Sequence, residues 1–236
     1  MKIGLLLCDH VADKFKNISG DYPEMFSNWI NRCDPGIELV FYDAVNGRFP
    51  NSLDECAGFM TTGSRYSVYD DKPWIHQLKS FIISLRQARK PYAGICFGHQ
   101  MLAEALGGKT LKSDHGWGIS ARNIEIIEQE PWMIPPKRSL YLQYMHQDQV
   151  VKLPEESVVL GRSRHCPVAV FRVGQTMLGI QAHPEFTADY SEALMRDRVH
   201  RIGEEIVLEG LEHVRDKTDE DFVAKWIIGF LSAEGV

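Results

Sequence analysis

A cysteine flanked by two glycines marks the point where a predicted strand runs directly into a predicted helix. Residues 91–100 read Pro-Tyr-Ala-Gly-Ile-Cys-Phe-Gly-His-Gln, and the helix-forming Met-Leu-Ala-Glu-Ala-Leu follows at once. The spacing of Gly94, Cys96 and Gly98 is the thiol counterpart of the G-x-S-x-G nucleophile elbow, a strained strand-to-helix corner. The two glycines remove side chains that would clash at such a corner. We therefore predict that Cys96 stands at the amino end of a helix, where the helix dipole favours thiolate over thiol.

The first half of the chain alternates short apolar strands with amphipathic helices. Strands are predicted at 3–7, 37–42, 56–61 and 92–95, and helices at 21–33, at 71–89 and directly after Cys96. This alternation is typical of a parallel sheet with helices on both faces. Ligands bind at the carboxyl ends of the strands in such sheets, and three loops are expected there: after Thr62, at Cys96 and at His183.

The second half changes character. Strands are predicted at 119–127, 140–145, 157–161, 168–173 and 177–181 without long helices between them. We expect them to continue the sheet as antiparallel or mixed strands. Two helices close the chain, one long and charged from about 187 and one at about 219–231. The fold class is therefore α/β, a mixed, mostly parallel central sheet flanked by helices, and the length of 236 residues suits one domain covering 1–236.

Charge and cysteine usage exclude several classes of protein. The net charge is −6 and the basic residues are scattered, so nucleic acid is not an expected partner. The five cysteines include no C-x-x-C pair, which favours a reducing compartment over a disulfide framework. There is neither a signal-peptide pattern nor an apolar run of the ~18 residues that span a bilayer. We expect a cytoplasmic protein without a membrane partner, and the dispersed histidines indicate no metal or cofactor.

A cysteine nucleophile needs a base that accepts its proton and later returns it to the leaving group. The best candidate is His183, which follows an apolar strand and precedes Pro184, a residue that ends regular strand pairing. Glu185 is close enough in sequence to hold one imidazole nitrogen and fix the tautomer, as the third member of a triad does. The predicted catalytic residues are therefore Cys96, His183 and Glu185.

The reaction also needs donors for an oxyanion. The backbone N–H of Phe97, next after the nucleophile, is one candidate. The other comes from the loop after the third strand, through the amide of Gly63 or Ser64, because a glycine there lets the main chain approach the substrate closely. We assign the oxyanion hole to Gly63 and Phe97 and count Ser64 among the substrate-binding candidates.

These motifs together resemble the class I, or triad, glutamine amidotransferase family. Residues 94–100, Gly-Ile-Cys-Phe-Gly-His-Gln, and the downstream His-Pro-Glu at 183–185 carry the resemblance. It implies a flavodoxin-like three-layer fold. By position it also implies that Gln100, four residues after the nucleophile, contacts bound glutamine. Residues 145–148, Met-His-Gln-Asp, resemble the substrate loop of the GMP synthetase glutaminase domain, so Met145, His146 and Gln147 are further substrate-binding candidates.

In that family the cysteine attacks the γ-carboxamide of glutamine, releases ammonia and leaves a γ-glutamyl thioester that water hydrolyses. No synthetase domain follows the glutaminase motifs in this sequence, which resembles the stand-alone branch that includes the plant γ-glutamyl peptidases. The expected partner is a small-molecule substrate, either glutamine or a γ-glutamyl compound, and an ammonia-accepting synthetase subunit is possible. Two other hypotheses stay open. One is a γ-glutamyl peptidase or hydrolase acting on glutathione-type conjugates, and the other is a catalytically silent binding or regulatory module.

Overall fold

A computed structural model describes residues 1–232, and the last four residues of the predicted domain, 233–236, lie outside it. Eleven strands form one large sheet and one small one. The strands are β1 (Lys2–Leu6), β2 (Glu38–Tyr42), β3 (Gly58–Thr61), β4 (Tyr92–Ile95), β5 (Lys109–Lys112), β6 (Gly118–Ile126), β7 (Ser139–His146), β8 (Asp148–Lys152), β9 (Ser157–Arg162), β10 (Val170–Val173) and β11 (Met177–Ile180).

The large sheet is parallel on one side and antiparallel on the other. Its strand order is β2-β1-β3-β4-β11-β10-β9-β6-β7. The strands from β2 to β11 pair in parallel, and those from β11 to β7 pair antiparallel. The tight connection through Gly174, at φ 55°, forces β10 and β11 into a hairpin. Because β11 runs parallel to β4, their carboxyl ends meet at one edge, where Cys96 and His183 follow.

Helices cover both faces of this sheet. They are α1 (Lys16–Ser19), α2 (Tyr22–Cys33), α3 (Pro73–Gln87), α4 (Phe97–Ala105), α5 (Ala188–Asp197), α6 (Val199–Ile202), α7 (Glu204–His213) and α8 (Glu220–Ser232). On one face α3 and α4 bury apolar residues against the sheet. On the other, α2, α5, α7 and α8 do so. The result is the three-layer mixed α/β fold that the sequence predicts.

Local sequence signals explain where the two long early helices begin. Asp21 and Glu24 form a reciprocal capping box at the start of α2, which satisfies backbone N–H groups that have no partner within the helix. Pro73 is the first residue of α3, where its fixed φ suits the helix and its missing N–H costs nothing. The apolar side chains of α2 that the periodicity picks out, Met25, Phe26, Trp29 and Ile30, are all buried.

Two features differ from the sequence prediction. The single long helix expected from about 187 is three helices, α5 to α7, and Gly203 at φ 103° separates the last two because this backbone conformation ends a helix. The short sheet of β5 and β8 was also missed. Its strands are short and far apart in the chain, and neither has a strong alternating pattern. Across residues 1–232, no helix has both the length and the apolar character needed to cross a bilayer.

Candidate active site

Cys96 occupies a strained corner between β4 and α4. It is the N-cap residue of α4 and has φ 50° and ψ −96°, a region that L-residues with side chains rarely adopt. Its backbone N–H donates to the Ile180 carbonyl at 2.8 Å, which ties the corner to β11. The residue is only 5% exposed, and this small surface lines a cleft at the carboxyl edge of the sheet. The corner geometry is the one that the glycine spacing predicts.

Both flanking glycines are required by their surroundings. A Cβ on Gly94 would lie 2.4 Å from the carbonyl group of Gly98, and a Cβ on Gly98 would lie 1.8 Å from Thr61 Oγ1. These contacts are far shorter than real Cβ atoms show, and the first is with backbone. The glycines therefore let α4 start directly against β3 and β4, which holds Cys96 in place.

His183 and Glu185 meet Cys96 from the neighbouring strand. The backbone N–H of His183 donates to the Gln143 carbonyl at 2.8 Å, which joins the loop after β11 to β7. Its Nδ1 lies 2.8 Å from Glu185 Oε1, and the ring stacks on Phe186 with centroids 3.9 Å apart. Both residues are buried, His183 at 3% exposure and Glu185 at 4%. The contact with Glu185 and the stacking fix the orientation of the imidazole.

Opposing effects act on the pKa of His183. Burial lowers it, but the negative charges of the Cys96 sulfur and the Glu185 carboxylate, with their hydrogen bonds to the ring, outweigh burial and raise the pKa to about 10. The imidazole thus favours its protonated form, the form that can donate to a leaving group. A thiolate–imidazolium pair is the arrangement that activates a cysteine nucleophile.

The two candidate oxyanion donors belong to residues that adjoin this pair. Gly63 follows β3, and a Cβ there would come within 2.6 Å of His183 Cε1, so only glycine allows the main chain this close to the ring. Phe97 is the first residue of α4, and the amides of a helix's first turn have no partner within the helix. Gly63 therefore adjoins the His183 ring and Phe97 is the next residue after Cys96, and their roles as oxyanion donors stay predictions.

The five predicted substrate-binding residues all line the same cleft: Ser64, Gln100, Met145, His146 and Gln147. The Ser64 hydroxyl donates to the Cys8 carbonyl at 2.8 Å, which fixes the loop after β3. His146 Nδ1 lies 3.0 Å from the Asp148 carbonyl, and burial lowers the pKa of this histidine to about 3. The ring is therefore neutral, its Nδ1–H donates to that carbonyl, and Nε2 keeps a lone pair.

Gln100 has less freedom than its position in the motif suggests. Its Nε2 donates to the Asp148 carbonyl at 2.8 Å and to Gln181 Oε1 at 3.0 Å. Both amide hydrogens are therefore used within the protein, and only the carbonyl oxygen of this side chain is left for a ligand. Gln181 in turn donates from Nε2 to the Cys96 sulfur at 3.5 Å, a contact that the sequence reasoning missed.

Further side chains complete the cleft and were also missed. Two adjoining hollows of about 210 and 330 Å³ share Ser64, Arg65, Met145, Arg198 and Arg201. Cys96 lines the first and His183 the second, and Lys112 and Trp117 add to the wall of the first. Arg201 lies over the Trp117 ring, 5.5 Å from its centroid. Arg198 and Arg201 follow α5, far from both motifs in sequence, so no local signal points to them.

Comparison with known proteins identifies the family. Residues 55–202, which contain all of the predicted site residues, match the family model described as glutamine amidotransferase class-I. The chain belongs to the class I glutamine amidotransferase family. The resemblance given by the two motifs is therefore confirmed.

Relatives of this amidotransferase-family chain carry different names. Gamma-glutamyl peptidase 2 of Arabidopsis thaliana is 31% identical, over 87% of this chain and 85% of its own length. One subunit of the glutamine-hydrolyzing GMP synthase of Pyrococcus abyssi is 33% identical, over 48% of this chain and 61% of its own. The crystal structure of a glutamine amidotransferase from Thermotoga maritima superposes with a TM-score of 0.75 at 19% identity, covering 98% and 96% of the two chains. The structural match shows that the fold is shared.

Proposed function

We propose that this protein cleaves γ-glutamyl amides through a γ-glutamyl thioester on Cys96. The observation that carries the proposal is the placement of a strained, cleft-lining cysteine beside a buried histidine whose Nδ1 is 2.8 Å from a buried glutamate. The loop that carries His183 and Glu185 is tied to β7 by the bond from the His183 backbone N–H to the Gln143 carbonyl. A buried histidine–carboxylate contact beside a cysteine at the carboxyl edge of a sheet supports a functional site there.

The proposed reaction has two halves. The Cys96 sulfur attacks the γ-carbonyl carbon while its proton resides on His183, and the N–H groups of Gly63 and Phe97 stabilise the oxyanion. The C–N bond then breaks as His183 gives that proton to the leaving nitrogen. In the second half, water attacks the thioester carbon, His183 accepts a proton from the water, and the C–S bond breaks to release glutamate. Glu185 keeps the imidazole in the tautomer that both halves need.

Cationic side chains at the cleft favour γ-glutamyl peptides over glutamine. Among residues 1–232, no acidic side chain forms an ion pair with Lys112, Arg198 or Arg201, although all three line the cleft. The carboxylate of Asp148 is already bonded to the hydroxyls of Ser67 and Tyr69. A leaving amine that carries a carboxylate would complement these cations, whereas ammonia would not. The relatives named gamma-glutamyl peptidase support the same preference.

Glutaminase activity for a synthetase is the second candidate function. It is favoured by the relative whose name places it in a GMP synthase, and it would need a separate ammonia-accepting protein. The two candidates differ in what leaves: ammonia in one case and a larger amine in the other.

Product analysis tests the proposal. The protein is incubated with glutamine, with γ-glutamylcysteine and with glutathione, and glutamate, ammonia and the released amine are quantified. We expect glutamate from at least the peptides, and none with Cys96→Ala. Cys33→Ala is the matched control, because Cys33 is a half-buried cysteine at the end of α2, beside Asp221, and should leave the rate unchanged. If no γ-glutamyl compound yields glutamate, the chain is a silent module and the proposal fails.

A further inference from the structure

A buried chain of amide groups ends on the nucleophile. Gln181 follows β11 directly and is completely buried. Its backbone N–H donates to the Ala169 carbonyl at 2.9 Å, which fixes the residue beside the end of the strand. Its side-chain Nε2 lies 3.5 Å from the Cys96 sulfur, and its Oε1 accepts from Gln100 Nε2. The function proposed above does not use this contact.

The Asp148 backbone carbonyl sets the direction of the hydrogen bonds that link it through Gln100 and Gln181 to Cys96. The Asp148 carbonyl can only accept, so the amide group of Gln100 that faces it at 2.8 Å must be the NH2. The same nitrogen has one hydrogen left, and this hydrogen meets Gln181 at 3.0 Å, so the facing atom of Gln181 must be oxygen. The NH2 of Gln181 is then the group that faces the sulfur. Reversing either amide would put two donors or two acceptors together in a buried site, which is costly.

We propose that Gln181 is a further catalytic residue, which donates to the Cys96 sulfur and favours its ionised form, and that Gln100 is a positioning residue that acts through Gln181. The proposal rests on the proposed function, since it takes Cys96 as the nucleophile. The NH2 of Gln181 can only donate, so the Cys96 sulfur accepts from it whether its own proton is present or resides on the His183 ring. When the proton moves from the sulfur to that ring, the N–H···S bond from Gln181 persists and strengthens, because the acceptor is now charged.

Successive bonds in this chain point the same way, so each bond polarises the next one. The Cys96 sulfur also faces the positive end of the α4 dipole. Gln181 adds a donor from a different element, at the end of β11. The sulfur is thus stabilised from the helix side and from the strand side at once.

The test measures how the reactivity of Cys96 depends on pH, without any γ-glutamyl substrate. Wild type and variants are alkylated with iodoacetamide from pH 5 to 10, and the modified peptide that contains Cys96 is quantified by mass spectrometry. In Gln181→Leu the donor is lost, and we expect the midpoint of the alkylation profile to rise by about one pH unit. Gln181→Glu keeps the shape but places a carboxylate beside the sulfur, so its midpoint should rise at least as far. Gln100→Leu should give a smaller rise, because the Gln181 amide loses the partner that orients it.

Gln149→Leu is the matched control. Gln149 is also buried, at 4% exposure, and its Nε2 donates to the His165 carbonyl at 2.9 Å, away from the sulfur. If these buried glutamines only stabilise the fold, all of the variants should melt at lower temperature and keep the wild-type alkylation midpoint. That result would overturn the proposal. If Gln181→Leu does not fold, the near-isosteric Gln181→Glu decides on the same criterion. If the wild-type protein releases no glutamate, the proposed function is wrong. The alkylation profiles need no substrate, so they still test whether Gln181 acts on the Cys96 sulfur.

Discussion

The floor and the rim of the cleft are built in different ways. The floor, which we define as Gly63, Cys96, Gln181, His183 and Glu185, is buried and held by strand ends, close backbone contacts and hydrogen bonds within the protein. The rim, which we define as Lys112, Trp117, Arg198 and Arg201, is half-buried or exposed, and its cations have no acidic partner in the described part of the chain. Under the proposed function, the floor carries out the chemistry on the γ-glutamyl group and the rim selects the group that is attached to it. Mutations in the two regions should therefore have different consequences.

Removing the base should have the largest effect. His183→Ala eliminates proton transfer to the leaving group, and we expect turnover to fall by about 10⁴-fold. Glu185→Ala only misorients the ring, so its loss should be smaller, by roughly tenfold to a hundredfold, than that of His183→Ala. Steady-state kinetics on one γ-glutamyl peptide measures both. Equal losses would contradict the separate roles of the two residues.

Adding one methyl group beneath the floor should damage the fold itself. In Gly98→Ala the new Cβ would lie 1.8 Å from Thr61 Oγ1, and we expect the free energy of unfolding to fall by more than about 3 kcal/mol. Urea denaturation measures the change. Gly36→Ala, whose nearest contact is an exposed Asp34 oxygen at 3.1 Å, is the control and should lie within about 0.5 kcal/mol of wild type. A tolerated Gly98→Ala would show that α4 does not need its close approach to β3.

A substitution in the rim should change which γ-glutamyl substrate is preferred and leave the rate on an uncharged substrate unchanged. Arg201→Gln removes a cation that lies over Trp117, and we expect kcat/KM to fall about tenfold for a γ-glutamyl dipeptide with a free carboxylate. The corresponding dipeptide amide should be cleaved equally well by both proteins. Arg196→Gln is the matched control, since Arg196 pairs with Glu192 on the exposed side of α5. Equal losses on both substrates would mean that Arg201 belongs with the floor.

The smallest expected effect is on the alkaline limb of the rate profile. The raised pKa of His183 keeps the ring protonated below about pH 10, so donation to the leaving group should be lost as the pH rises through that value. Glu185→Gln removes one of the negative charges that raise this pKa, and the limb should move to lower pH. The measurement is kcat/KM against pH for both proteins, because this ratio reports the pKa values of the free enzyme. If the alkaline limb does not move in Glu185→Gln, it reports the titration of a group other than His183.

The sequence predicts the floor better than the rim, for a physical reason. The strained corner needs glycines at fixed offsets from Cys96, and Glu185 reaches His183 from two residues away, so both signals are local. The parallel pairing of β4 with β11 brings Cys96 and His183 to the same edge of the sheet, as expected for neighbouring strands in a sheet with helices on both faces. The catalytic roles of Cys96, His183 and Glu185 remain predictions, and so do the roles of Gly63, Phe97 and the five substrate-binding residues.

The missed features depend on contacts between distant segments. Gln181 lies two residues before His183 in the sequence, but its role depends on Gln100 and the Asp148 carbonyl, which only the folded chain places beside it. Arg198 and Arg201 reach the cleft because α5 ends there and Gly203 turns the chain away, and no spacing rule connects them to Cys96. The pairing of β5 with β8 is likewise non-local. Gly203 itself was a usable signal for the helix end, since glycine commonly stops a helix.

The most direct test of the account is to trap the intermediate. The protein is mixed with a γ-glutamyl peptide, quenched with acid during turnover, digested and analysed by mass spectrometry. The account predicts a γ-glutamyl group on the peptide that contains Cys96, present during turnover, removed by hydroxylamine as the hydroxamate, and absent in Cys96→Ala. Glutamate release at the wild-type rate by Cys96→Ala, with no adduct at any cysteine, would contradict it.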